Sequence, residues 1–106
     1  MPVEVCPTDI LHAAAQRIWD ALTIPSKLAT WVGAKLLGDP GRRLEAGDHL
    51  VLGVGLGQRV RVYFDVLKAQ PPTELILDVH LPLGIVNHEV VRITPINSRE
   101  CRVTFN

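Results

Sequence analysis

Two apolar rows constrain the fold of this chain more than anything else in it. In "VRVYFDV" the residues Val60, Val62, Phe64 and Val66 recur with a period of two, and in "ELILDVHL" Leu75, Leu77, Val79 and Leu81 do the same. That period puts each row on one face of a β-strand. "QPPT" between them supplies turn residues, so the two strands are predicted to pair antiparallel with their apolar rows side by side. Arg59, Arg61, Tyr63 and Asp65 then face outward with Asp78 and His80, and Tyr63 meets His80 across the pair. One sheet face becomes a wide apolar wall, which a second layer has to cover.

The rest of the chain supplies more sheet and little cover. Val3 to His12 reads as an opening strand, open to interruption at Pro7. "AAAQRIWDAL" then switches period, with Ala14, Ile18, Leu22 and Ala15, Trp19 on adjoining faces of a short amphipathic helix. Pro25 suits the first turn of a second helix, "SKLATW", that ends near Gly33. "AKLLG" is a short strand, "DPGRRLEAGD" is loop and turn chemistry, and "HLVLGVG" begins the next strand. Further strands are predicted over 58–69, 74–81, 85–94 and 100–105, the third of these running up to Pro95. This is an α+β chain of six to seven strands and two short helices, read as a single domain over residues 1–106. Two helices of this length are too small to cover such a sheet.

Gly53, Gly55 and Gly57 invite comparison with a phosphate-binding loop, but the third glycine falls one residue early and the following "QRVRVYFDV" is strand, not helix. On one lane of a strand the three glycines mark a bend and turn, or clear space for a ligand or a second backbone.

Composition removes several function classes. Eleven basic and eleven acidic residues cancel, and Lys and Arg are scattered, so no nucleic-acid partner is expected. Although 47% of the residues are hydrophobic, no run reaches the roughly 20 residues of a spanning helix, so no integral membrane association is expected. "MPVEVCPTD" has neither a basic segment nor an apolar signal core, which points to the cytoplasm. Cys6 and Cys101 then read as free thiols rather than a disulfide. His12, His49, His80 and His88 form no metal-binding pair, and "NHEVV" lacks the second histidine of a zinc-protease motif. No metal, nucleotide or flavin cofactor is expected.

The succession of Ala13 with Ile18, Trp19 and Leu22, then Pro25, Leu28 and Trp31, then Gly47-Asp48, then Pro71-Pro72 and Leu75 spans the chain. It resembles the START-like or SRPBCC superfamily, and within it the bacterial polyketide cyclase/dehydrase and lipid-transport branch. The resemblance implies a helix-grip fold: a curved antiparallel sheet around a long C-terminal helix, a deep apolar cavity between them, and two small helices closing one end. The sequence stops at "CRVTFN", where that family continues into the gripped helix. The expectation is a short variant whose sheet face is covered by a second copy as a homodimer, or a fragment.

Candidate site residues follow from the wall. Trp31, Val62, Phe64, Leu77, Val79 and Val91 are the expected ligand-binding residues. The strand 85–94 carries the polar candidates, and its register has two readings. Alignment with Cys101, Val103 and Phe105 turns Val91, Ile93, Glu89 and Asn87 inward, whereas alignment with the Leu75 row turns His88, Val90 and Arg92 inward. Glu89, His88 and Asn87 are therefore the catalytic candidates, either in a cavity or at a wetted rim. Asp48 reads as turn chemistry, Asp20 as a solvated helix residue and Trp19 as core. Three functions fit: binding of a small apolar or amphipathic ligand, lipid-like or polyketide-like; a cyclase or dehydratase using a polar cavity residue; and a non-catalytic protein that self-associates or binds a partner.

Overall fold

The computed structural model describes residues 8–55, 57 and 59–105. The elements run β1 (Thr8–Leu11), α1 (Ala15–Thr23), α2 (Pro25–Val32), β2 (Lys35–Gly38), β3 (His49–Val54), β4 (Val60–Gln70), β5 (Glu74–His80), β6 (Val86–Asn97) and β7 (Glu100–Phe105), with a 3-10 turn at Pro82–Gly84 between β5 and β6. All strands join one antiparallel seven-stranded sheet in the order β1-β7-β6-β5-β4-β3-β2. With its two helices this is α+β and has the sheet and helical pair of the helix-grip arrangement, while no long gripped helix occurs among the described residues. Cys6, and with it any pairing to Cys101, lies outside the described residues.

Local chemistry explains the helical part. α1 ends where Ile24 turns extended and gives its N–H to Asp20 O, and Pro25 opens α2 at a position needing no donor. α2 stops at Gly33, whose φ of 72° is left-handed, while Ala34 N closes back onto Ala29 O at 2.9 Å. Trp19 and Leu22 of α1 and Leu28 and Ala29 of α2 are buried with Leu50, Leu52, Val66, Leu75, Val91 and Val103 of the sheet.

The connection between β2 and β3 is more than a loop. Leu44 within it is buried in the same core, and its N–H bonds Thr23 O at 2.8 Å. Arg43 reaches both Asp20 (2.7 Å) and the Thr23 hydroxyl (3.0 Å), tying the segment to α1. Asp48 accepts two bonds from Arg42 (2.8 and 2.9 Å) and one from Glu45 N (2.7 Å).

The register of β6 resolves to the first of the two readings. Leu75 pairs with Val91, Leu77 with Glu89 and Val79 with Asn87, while Ile93 pairs with Val103 on the other side. Both neighbours of β6 therefore agree. His88, Val90 and Arg92 face outward.

Several details depart from the alternation. Val60, at the hairpin end of its row, is 41% exposed. Only Gly53 lies in a strand; Gly55 and Gly57 have φ of 79° and 68° and belong to the β3–β4 connection, so the three do not share a strand lane. β6 also continues through Pro95 to Asn97, with a register shift between them. Its pairing with β5 ends at Arg92, so Pro95, which pairs only with Cys101 of β7, removes no needed donor.

Candidate functional site

α1, α2 and Leu44 close one part of the apolar wall and leave another open. The opening is a concavity of about 350 Å³. Leu22, Leu28, Trp31 and Val32 line it from the helices; Phe64, Leu77, Val79, Glu89, Val91 and Phe105 line it from β4, β5, β6 and β7. Of the six residues expected to bind ligand, Trp31, Phe64, Leu77, Val79 and Val91 thus come together in one place. Val62 shares their sheet face but is packed in the core and does not line the concavity.

The three polar candidates separate. Glu89 lines the concavity, seated between Leu77 as its cross-strand partner and Val91 on its own strand, both buried. Asn87 lies on the same face two residues further out and is exposed. His88 is on the opposite face, where its Nδ1 lies 2.7 Å from Asp78 Oδ1. The residues missed from sequence are Leu22, Leu28, Val32 and Phe105. The first three carried a helical-face signal, but only packing decides which side of a short helix overhangs a cavity.

The outer face carries the ionic chemistry. His49, Asp65, Asp78 and His88 are consecutive register partners across β3, β4, β5 and β6. Asp65 and Asp78 are directly opposed, an unfavourable like-charge pair that the flanking imidazoles offset. Asp65 bonds His49 and, at 2.8 Å, the Nε2 of His80, which itself pairs with Tyr63. Among the described residues no group of His, Cys, Asp and Glu is placed to hold a metal ion. A second concavity, of about 380 Å³ beside Thr73 and Pro95, contains Glu74 and Arg92. Those two are bound to each other at 3.0 Å, and Glu74 also holds Lys68 at 2.6 Å. A third, smaller one at the start of α2 includes Arg42 and Arg43, whose guanidiniums are taken by Asp48 and Asp20. Burial pushes the Cys101 thiol up, away from a reactive thiolate.

Four carboxyls are held below their ordinary range: Asp20 by Gln16 and then Arg43, Asp48 by Arg42, Asp65 by His49 and then His80, and Glu74 by Lys68 and then Arg92. Unfolded carboxyls titrate near pH 4. These interactions therefore contribute in full above that value and are lost as pH falls through the lower folded values. Urea midpoints are expected to drop below about pH 4, with a shallower drop in Asp65→Asn. An acid limb indifferent to that substitution would mean the His49–Asp65–His80 contact contributes nothing.

No protein-family model matches the sequence. No curated protein matches it either. Solved structures do resemble its fold. DynU16, a protein from the dynemicin biosynthetic locus, superposes with a TM-score of 0.70 at 16% identity, over 96% of this chain and 36% of its own. The Aha1 dimer from Colwellia psychrerythraea gives a TM-score of 0.71 at 13% identity, over 97% of this chain and 75% of its own. PFC0360w, an HSP90 activator from Plasmodium falciparum, gives 0.68 at 11% identity, over 96% and 71%. The chain thus spans about a third of DynU16 and about three quarters of the other two. At these identities the likeness is one of fold alone, the helix-grip arrangement. No helix among the described residues is long and apolar enough to cross a membrane.

Proposed function

We propose that the chain acts as a single ligand-binding domain that holds a small apolar or amphipathic molecule, lipid-like or polyketide-like, in the concavity between α2 and the sheet. The carrying observation is the lining, in which every residue except Glu89 is aliphatic or aromatic. A volume of about 350 Å³ suits a medium alkyl chain or a small fused-ring body. DynU16 comes from the dynemicin biosynthetic locus, which favours a biosynthetic small molecule within that range, and an acid–base role in such a site would fall to Glu89 with Asn87.

The test is uptake of the neutral dye 1-N-phenylnaphthylamine, followed by its emission. Wild type is expected to bind it, and Val79→Asp, at a half-buried lining position, is expected to bind at least about tenfold more weakly because filling the pocket would desolvate a second carboxylate besides that of Glu89. Equal binding by wild type and Val79→Asp would overturn the reading, as would no uptake at all.

A second reading has its own observation. Trp31 and Val32 at the concavity are half exposed, and the Colwellia Aha1 structure is a dimer. A second copy covering this face would place the site at a homodimer interface, read as a concentration-dependent mass in native mass spectrometry.

A further inference from the structure

The carboxylates of this chain differ in one respect. Asp20, Asp48, Asp65, Glu74, Asp78 and Glu100 each meet a basic side chain or a histidine. Glu45 lies 3.6 Å from Arg42, and Asp39 accepts the N–H of Gly41. Glu89 alone among the described acidic side chains has neither a hydrogen bond nor an ion pair, and it alone faces into the apolar concavity.

We infer that this pocket selects amphipathic cations, ligands with an apolar body and an ammonium head that Glu89 receives. The inference rests on the pocket reading above and narrows it to a ligand class. A neutral apolar ligand filling the pocket would strip water from an unpaired carboxylate, and an anionic one would add like-charge repulsion. An ammonium head instead supplies the missing partner through a charge-assisted hydrogen bond. Trp31 lines the same pocket, so the lining includes an aromatic ring of the kind that attracts ammonium groups. The geometry is one-sided, because the lining holds no basic residue that would accept a fatty acid or phosphate head.

The experiment is displacement of 1-N-phenylnaphthylamine, uncharged at neutral pH, by decylamine, decanol and decanoate at low ionic strength. The chain length is constant, so only the head differs. Wild type is expected to bind the amine about tenfold more tightly than the alcohol, and decanoate more weakly than either. In Glu89→Gln the amine-to-alcohol ratio is expected to fall to within about twofold, and in Glu89→Lys decanoate is expected to become the tightest of the three. The ratio is the readout, so a change in overall affinity does not confuse it. Equal binding of amine and alcohol by wild type, or a preference that survives Glu89→Gln, overturns the inference while leaving the pocket reading intact. Failure of the dye itself to bind overturns both. A final arm presents decylamine in phosphatidylcholine vesicles: transfer to the protein supports a membrane-derived amine, and binding from solution alone supports a free one.

Discussion

Trp19→Ala is expected to lower the free energy of unfolding by about 3–5 kcal/mol, in the range typical of a buried tryptophan reduced to a methyl group. Trp19 is 1% exposed at the centre of α1, packed in the cluster that joins both helices to the sheet. Domains of this size are held by only about 5–15 kcal/mol, so the variant should melt on the order of 20 °C lower and lie near the limit of folding. Trp19→Phe separates two contributions. The indole Nε1 is buried with no acceptor among the described residues, so phenylalanine removes an unsatisfied donor while keeping most of the apolar area. Its cost should be less than half that of alanine, measured by urea denaturation of the three proteins side by side. A Trp19→Ala cost below about 1 kcal/mol would contradict the packing of α1 against the sheet.

Leu44→Ala should be nearly as damaging, at about 2–5 kcal/mol, although Leu44 sits between two strands in a segment without regular structure. The side chain is 1% exposed, and the backbone on either side is fixed by Thr23, Arg43 and the Arg42–Asp48 pair. The loop therefore cannot collapse to fill the space left behind. Glu45→Ala, at the exposed next position of the same loop, keeps the backbone N–H that Asp48 accepts and should cost less than about 0.5 kcal/mol by comparison. If Leu44→Ala proves as mild as that neighbour, the loop is not part of the core.

These two positions mark how far the sequence could be read. Trp19 was legible because a helix of period 3.6 repeats its apolar face, and its role follows from that repetition. Leu44 was not, because one leucine in "GRRLEAGD" has no periodicity around it and its burial depends on where α1 ends in space. The strands 49–55, 74–81 and 100–105 were legible from alternation and turn residues, whereas the register of β6 was not. Its residues alternate polar and apolar imperfectly, so either face was acceptable until β5 and β7 were placed on both sides. The register shift between Val66 and Lys68 left no trace in the sequence either, since "VLKA" reads as continued strand. The site inherits this division. Most of its sheet-side wall was visible as an apolar row, and the choice among Asn87, His88 and Glu89 waited on the register.

The sheet order also determines how the chain can assemble. Every neighbouring pair from β2 to β7 is joined by its own connecting segment and can zip outward from it, but β1 must find β7 from the far end of the sequence, where Thr8 meets Thr104. Local pairs carry little loop-closure entropy and that last one carries the most. The topology thus favours a six-stranded meander built by short-range steps, with β1 as the one strand whose pairing must close over almost the whole chain.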